Sequence, residues 1–253
     1  GGKPDADRLE TLRGILDPIT RSQEAPLTRS LAWEALGDIA DRSGDATAAF
    51  AAFTECNRIE RARQHCPADA DLATYLRSID ELMGAMTREA AERWRAEVPD
   101  DGVPAPAILV GFPRSGTTMT ERALDAHPRV RSIEEKPTFD ALRGELVRLK
   151  GPEIKSRPFA EAMDGLTTDE VAHLREAYWN IAAEHLGERP DDGTVVLDKL
   201  PLRLVTLPWI NRVFPDARVL VALRDPRDVC LSCFRQRFTL NPLMSFFLDL
   251  SDT

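Results

Sequence analysis

The stretch AILVGFPRSGTT, residues 107–118, constrains the fold more than any other part of the sequence. A short apolar run leads into Gly111, four residues follow, and Gly116 precedes Thr117 and Thr118. This is the outline of a strand, a glycine-bounded loop and a helix, whose backbone N–H groups can surround a phosphate. The nucleotide-binding pattern G-x-x-x-x-G-K-[ST] matches at every position except its lysine, which is Thr117 here. We therefore expect a phosphate-bearing ligand that does not need that lysine's contact with a γ-phosphate.

Residues 105–253 alternate apolar runs with helical stretches, which predicts an α/β fold. Continuous apolar runs are typical of strands buried on both faces of a parallel sheet, and we expect a P-loop-type doubly wound parallel sheet. The predicted strands are Ala107–Val110, Val130–Ile133, Val195–Leu197 and Arg218–Leu223. The predicted helices are Gly116–Ala126, Pro137–Lys150, Thr168–Leu186 and Leu202–Phe214. A capping box from Thr167 to Glu170 begins the third helix, and Gly187 ends it.

Residues 1–98 are rich in alanine and have helical periodicity, so we expect an all-α region before the sheet. Part of this region has the spacing of a tetratricopeptide repeat, carried by Trp33, Leu36, Gly37, Gly44, Ala49 and Phe53. The alternative is an ordinary antiparallel helix pair. A repeat region of this kind is a candidate surface for a protein partner.

The composition limits the setting in which the protein works. The chain has 253 residues, of which 43% are hydrophobic and 30% charged, and a net charge of −9. The negative charge argues against a nucleic-acid partner. Since no run approaches the ~20 apolar residues of a membrane span, we expect no transmembrane segment. Four cysteines in a chain of this length do not predict a disulfide framework, which favours the cytoplasm.

A second candidate anion site lies in RVLVALRDPRDVCLSCF, residues 218–234. The pattern predicts a strand that ends at Arg224, followed by Asp225 as the N-cap and Pro226 as the first residue of a helix. An arginine at a strand end beside a helix N-terminus is suited to binding an anion. Basic residues outnumber acidic ones between Lys199 and Arg237, although the chain as a whole is acidic.

These two segments together resemble the sulfotransferase family. GFPRSGTT, followed by ALDAHPRV and the pair Glu134-Glu135, is similar to the 5′-phosphosulfate loop of the tyrosylprotein-sulfotransferase branch and of bacterial proteins with tetratricopeptide repeats. Arg224 and Ser232 match the R-x7-S pair that binds the 3′-phosphate. The resemblance implies 3′-phosphoadenosine 5′-phosphosulfate (PAPS) as donor, adenosine 3′,5′-bisphosphate as product, and no metal. PAPS has no γ-phosphate, which accounts for the missing lysine.

The resemblance also implies roles for individual residues. Glu135 would be the base, and Lys199 and Arg114 would stabilise the leaving oxygen. The residues implied in donor binding are Arg114, Ser115, Gly116, Thr117, Thr118, Arg224 and Ser232. The family's usual Gly-Glu-Glu-Thr is Ile133-Glu134-Glu135-Lys136 here, so Glu134 stays an alternative base. If the chain were extended, the two carboxylates would point to opposite sides and only one would face the site.

Several alternatives stay open. A P-loop kinase or ATPase would use Asp198 as an Mg²⁺ ligand, and a non-catalytic interaction protein would bind nucleotide without turnover. The acceptor hydroxyl could belong to protein tyrosine, a carbohydrate or a small molecule. Family members continue well beyond the 3′-phosphate helix, so we expect the sulfotransferase domain, 105–253, to be incomplete at its C-terminus.

The histidines and cysteines do not predict a catalytic or metal site. We expect His127 to cap the last carbonyls of a helix. We expect Cys230 and Cys233 to pack on the inner face of their helix. Cys56, His65 and Cys66 lack the spacing of zinc ligands.

Overall fold

The computed structural model describes residues 6–65, 72–191, 193–241 and 243–253. It divides into two compact units. A helical unit takes Gly1–Leu72 together with Asp225–Thr253, and a sheet unit takes Ala73–Arg224. These contact-based units are divided differently from the predicted domains 1–98 and 105–253, so that domain assignment stays a prediction. Cys66 lies outside the described residues.

The secondary structure follows the predicted order of helices, then alternating strands and helices. The helices are α1 (Ala6–Thr20), α2 (Pro26–Arg42), α3 (Ala46–Arg63), α4 (Leu72–Ala85), α5 (Arg88–Ala96), α6 (Thr117–Asp125), α7 (Thr138–Lys150), α8 (Phe159–Asp164), α9 (Thr168–Leu186), α10 (Leu207–Val213) and α11 (Pro226–Phe234). The strands are β1 (Ala107–Gly111), β2 (Val130–Glu134), β3 (Val195–Lys199) and β4 (Arg218–Ala222), and 3₁₀ turns span Pro152–Ser156, Pro201–Thr206 and Met244–Leu248. Within the described ranges, no helix is long and apolar enough to cross a membrane.

In the helical unit, α2 and α3 form a closely packed hairpin. A Cβ atom on Gly37 would lie 2.7 Å from the Phe53 ring, so glycine is needed for the two helices to approach this closely. Gly44, in the connection, has φ +81°, a conformation that favours glycine. The two glycines thus allow the close packing of the hairpin and the turn between its helices. Such contacts are available to any helix hairpin, so the tetratricopeptide assignment stays a prediction.

The C-terminal segment completes the core of the helical unit. Phe234 at the end of α11 is buried and stacks on Phe50 of α3, with ring centroids 5.3 Å apart. Asn57 donates a hydrogen bond of 2.9 Å to the carbonyl of Phe234. Arg235 forms ion pairs with Asp38 and Asp41 of α2. An apolar contact and a set of polar contacts therefore join α11 to α2 and α3.

The sheet unit contains a four-stranded parallel sheet with the order β2-β3-β1-β4. Every residue of β1 is buried, as its continuous apolar sequence predicts. In β4, however, Val219, Leu220 and Val221 are exposed. The first three residues of β2 are only half-buried, and its last is exposed. The expectation that all the runs are buried on both faces was therefore wrong for β2 and β4, which are the two edge strands of the sheet.

Helices cover both faces of the sheet. Asp198 and Lys199 are successive residues of β3 and must point to opposite faces. Tyr178 of α9 donates a hydrogen bond to Asp198, so α9 lies on one face. Glu121 of α6 pairs with Lys199, so α6 lies on the other. This arrangement confirms the predicted parallel α/β sheet.

Two predicted elements had boundaries that were wrong by more than one residue. The segment predicted as one helix, Leu202–Phe214, is a 3₁₀ turn followed by α10. Proline lacks an N–H group and is tolerated only in the first turn of a helix, so α10 begins one residue before Pro208. Strand β3 runs two residues further than predicted, which places Lys199 inside the strand and not after it. The Thr167–Glu170 capping box, the left-handed Gly187 and the Asp225 cap were predicted correctly.

Candidate active site

The loop between β1 and α6 is tightly packed at its first glycine. A Cβ atom on Gly111 would lie 2.6 Å from Ser115 Oγ and 2.8 Å from the Ala222 carbonyl oxygen of β4. No other residue type fits at this position without moving the loop or the strand. Gly116, the N-cap of α6, has φ +102°, and Arg114 adopts φ +69°. The two left-handed residues turn the chain sharply into the helix.

The loop ends in a cluster of hydroxyl groups. Ser115 and Thr117 are buried, whereas Thr118 is half-buried. Ser115 Oγ is buried and has no hydrogen-bond partner among the residues that the structure describes. A buried hydroxyl without a partner is costly, so this atom is well suited to a polar ligand.

Lys199 lies at the centre of the site. Its side chain is completely buried at the carboxyl end of β3, and its Nζ is 2.9 Å from Glu135 Oε1 and 3.3 Å from Glu134 Oε1. It also lies 3.5 Å from Thr118 Oγ1. Burial alone would lower the pKa of Lys199, but the hydrogen bond to Glu135 and the negative charges of Glu121 and Glu135 outweigh it and raise the pKa above the usual 10.5. Lys199 is therefore a positively charged group, and not the surface lysine that a strand-end position could suggest.

The two glutamates do not point to opposite sides, because the chain is not extended at Glu135. Glu134 ends β2, and Glu135 adopts φ +50°. This left-handed residue breaks the alternation of an extended chain. Both carboxylates consequently reach the same ammonium group, and both side chains are about half exposed, at 57% and 52%.

Glu121 is a member of this cluster that sequence reasoning missed. Its Oε2 is 3.0 Å from Lys199 Nζ, and Ser132 Oγ of β2 donates a hydrogen bond to its Oε1. A sequence signal was available, because Glu121 follows Thr117 by four residues and so shares the helix face that packs on the sheet. An acidic residue on a buried helix face requires a positive partner.

Arg224 and Arg114 are brought together at the end of the sheet. The guanidinium of Arg224, just after β4, donates a hydrogen bond of 3.2 Å to the carbonyl of Arg114. Both side chains are exposed. Ser232 is half-buried on α11, which belongs to the helical unit. The pairing of Arg224 with Ser232 on a 3′-phosphate therefore stays a prediction.

Asp198 lies on the other face of the sheet from Lys199. It is completely buried and pairs with Arg203 at 2.7 Å. It also accepts hydrogen bonds from Thr138 at 2.6 Å and Tyr178 at 3.1 Å. Burial and the negative charge of Asp198 raise the pKa of Tyr178, so the phenol remains a donor. With both oxygens engaged inside the core, Asp198 is poorly placed to bind Mg²⁺ beside the loop.

Outside the Lys199 cluster, the contacts of one histidine and three cysteines are structural. His127 was expected to cap helix carbonyls, and its backbone N–H does donate a hydrogen bond of 3.0 Å to the Leu124 carbonyl of α6, while its Nδ1 accepts one from the Arg129 N–H. Cys233 is buried as expected, whereas Cys230 is only partly so. Burial, with Glu34 and Glu60 nearby, raises the pKa of Cys56 to about 12. In the part of the chain that the structure describes, no cluster of His, Cys, Asp or Glu is arranged to bind a metal.

A model of the sulfotransferase family matches residues 106–251, which is more than half of the chain and includes the loop, Lys199 and Arg224. The chain belongs to the sulfotransferase family. The loop and the Lys199 cluster are thus features of a sulfotransferase-family chain.

Individual relatives cover this sulfotransferase-family chain to different extents. Human protein-tyrosine sulfotransferase 1 is 31% identical over 53% of the chain and 35% of the human protein. An uncharacterised protein of Aquifex aeolicus is 26% identical over 93% of the chain and 30% of that protein. The solved sulfotransferase STF9 of Mycobacterium avium is 16% identical, covers 92% of the chain and 66% of STF9, and has a TM-score of 0.30. The chain spans about a third of the length of these first two relatives.

Proposed function

We propose that the protein is a sulfotransferase of the tyrosylprotein-sulfotransferase type, which transfers a sulfuryl group from PAPS to an acceptor hydroxyl. The observation that carries the proposal is the position of Lys199. A completely buried ammonium group lies beside Thr118 of the glycine-bounded loop and within 2.9 Å of Glu135. A cation for a leaving oxygen and a carboxylate for an acceptor proton are thus next to a loop suited to phosphate.

Two features of the loop support an anionic donor. The close approach at Gly111 leaves no room for a side chain, and the buried Ser115 Oγ has no hydrogen-bond partner within the described ranges of the chain. The residues that would hold the 5′-phosphosulfate are those of the loop and the start of α6: Arg114, Ser115, Gly116, Thr117 and Thr118. Arg224 and Ser232 would hold the 3′-phosphate. The positive end of α6 adds to the attraction.

The chemistry assigned to the residues is a single displacement at sulfur. Glu135 accepts the proton of the acceptor hydroxyl, and the acceptor oxygen forms a bond to sulfur. The bond between sulfur and the 5′-phosphate oxygen breaks, leaving its electron pair on adenosine 3′,5′-bisphosphate. Lys199 and Arg114 stabilise the negative charge that develops on that oxygen. These positive side chains supply the charge stabilisation that Mg²⁺ gives in phosphoryl transfer.

The relatives support a hydroxyl of protein tyrosine as the acceptor we would test first. The name of the human relative refers to protein tyrosine, and its likeness covers about half of this chain. Carbohydrate and small-molecule hydroxyls are the alternatives. The proposed tetratricopeptide-like repeat in α2 and α3 would then present the protein substrate.

Donor binding tests the proposal directly. We expect adenosine 3′,5′-bisphosphate to raise the melting temperature more than ATP with Mg²⁺ does. Arg224→Ala should weaken the binding of adenosine 3′,5′-bisphosphate at least ~10-fold, because a charge-assisted contact contributes ~1.5–3 kcal/mol. The matched control is Arg218→Ala, at the other end of β4, which should leave binding unchanged.

Transfer of ³⁵S from labelled PAPS to a tyrosine-containing acidic peptide then tests catalysis. Stronger stabilisation by ATP with Mg²⁺ would contradict the proposal and favour a kinase. If Arg224→Ala lost the same affinity for adenosine bisphosphate as for a ligand lacking the 3′-phosphate, this would contradict the role of Arg224 in binding the 3′-phosphate.

A further inference from the structure

The carboxylates around Lys199 differ in their access to solvent. Glu135 and Glu134 are about half exposed, so an acceptor or solvent can reach them. The Glu121 side chain is only 4% exposed, yet its Oε2 lies 3.0 Å from the same ammonium group. The N–H groups of Lys199 donate to Glu135, Glu134 and Thr118, while Glu121 forms an ion pair with the same ammonium group from the protein interior.

Glu121 is held from two sides. Its other oxygen accepts the hydrogen bond from Ser132 of β2. Its backbone belongs to α6, one turn after Thr117, so it moves with the helix that continues the glycine-bounded loop. The carboxylate thus connects that helix, the neighbouring strand and Lys199.

The proposed reaction changes the charges around Lys199. When Glu135 takes the acceptor proton it becomes neutral, and its ion pair with Lys199 ends. At that moment Lys199 must stay protonated and remain directed at the leaving oxygen. A buried ammonium group that loses a counter-ion is less stable in its charged form. Glu121 is screened from solvent and takes no part in the proton transfer, so its ion pair with Lys199 remains, and the raised pKa of Lys199 agrees with such a partner.

We propose that Glu121 is a positioning residue that orients the Lys199 ammonium group and keeps it charged while Glu135 accepts the proton. This inference rests on the proposed function. Glu121 would act through Lys199, without contacting the sulfuryl donor or the acceptor substrate.

The first test follows Lys199 itself and needs no activity. The chain has five lysines, so the ¹³Cε resonance of Lys199 can be assigned by comparison with Lys199→Arg. We expect Glu121→Gln to lower the titration midpoint of this resonance by about 1–3 pH units. The control, Glu188→Gln, removes an exposed carboxylate from Arg131 and should leave the midpoint unchanged. If Glu121→Gln fails to fold, Glu121→Asp keeps the charge and should shift the midpoint less. Unchanged midpoints in the folded variants would overturn the inference.

The second test separates positioning from general stability. Glu121→Gln should lower kcat by ~10–100-fold and change the donor KM by less than ~3-fold, because the lost interaction acts in the transition state. In a Lys199→Ala background the same substitution should cause no further loss. A further loss of kcat when Glu121→Gln is added to Lys199→Ala would overturn this inference but not the proposed function. Unchanged kinetics in Glu121→Gln would do the same. Failure of the wild-type chain to transfer sulfate would contradict the proposed function, and the titration would then decide the role of Glu121.

Discussion

Single residues determine what the proposed site can do, and Glu135 is the most informative of them. If Glu135 is the base, Glu135→Gln should lower transfer by ~10²–10⁴-fold, because the amide cannot accept the proton. Donor affinity should stay near wild type, since the amide preserves the shape of the side chain. Steady-state kinetics with labelled PAPS, together with calorimetric binding of adenosine bisphosphate, measures both quantities.

Glu134→Gln is the matched comparison, since its carboxylate reaches the same ammonium group at 3.3 Å. A small effect at Glu134 and a large one at Glu135 would support the assignment. The reverse pattern would move the base by one residue. The structure allows either outcome because both side chains face Lys199.

Gly111 is the residue on which the shape of the loop depends. Gly111→Ala places a methyl group 2.6 Å from Ser115 Oγ and 2.8 Å from a backbone carbonyl of β4. We expect adenosine bisphosphate to bind at least ~10-fold more weakly, since overpacking costs ~1–3 kcal/mol and distorts the loop. Gly144→Ala is the control: nothing lies within 4 Å of the new methyl group, and removing a glycine from α7 should stabilise the protein by up to ~1 kcal/mol. Unaltered binding in Gly111→Ala, measured by calorimetry, would show that the loop does not contact the donor.

At the scale of helices and strands, local signals predicted more than distant ones. The Thr167–Glu170 capping box and the turn at Gly187 depend on neighbouring residues, and both were read from the sequence. The burial of Lys199 depends on β1, β2 and α6 together, which no local pattern contains. The turn at Glu135 could not be predicted, because glutamate rarely adopts positive φ. For this reason the loop was predicted in detail, whereas the cluster around Lys199 was only partly predicted.

Helix α3 carries a buried polar group that joins it to α2. Glu60 is buried and accepts hydrogen bonds from Ser30 of α2, from Arg63 and from Gln64. Burial alone would raise the pKa of Glu60, but these hydrogen bonds outweigh it and hold the pKa below the usual 4.5. The charged form is therefore stabilised by folding.

Glu60→Gln should consequently lower the free energy of unfolding by ~1–3 kcal/mol at neutral pH. A carboxylate with a depressed pKa stabilises the fold above pH 4.5, and this contribution is lost as the pH falls through the pKa of the folded protein. The difference between wild type and variant should thus shrink below about pH 4.5. Urea unfolding at pH 7 and pH 4 measures it, and a difference independent of pH would contradict the role of the charge.

At the scale of the whole molecule, the helical unit is discontinuous in sequence. Its α2 and α3 come from the N-terminal third of the chain, and α11 comes from the predicted sulfotransferase domain. A fragment of residues 105–253 would lack the helices that bury Phe234. We expect this fragment to aggregate, because exposing the Phe234 side chain forfeits ~1.5–3 kcal/mol of hydrophobic stabilisation. Light scattering and thermal melting of the fragment and the full chain give the comparison.

A polar substitution provides the control for that experiment. Phe234→Asn should reduce aggregation of the fragment but destabilise the full chain, where the side chain is buried. A monodisperse fragment with the melting temperature of the full chain would instead support 105–253 as an independent domain.

The discontinuity also has a consequence for synthesis on the ribosome. Phe53 and Phe234 belong to the same core cluster but are separated by about 180 residues. At ~5–20 residues per second, the hairpin of α2 and α3 waits roughly 10–35 s for the segment that covers it. During that interval the nascent chain carries an uncovered apolar surface while the intervening sheet is being made. The helical unit is thus the first to begin folding and the last to finish, and its early half is where a cell's chaperones would be needed.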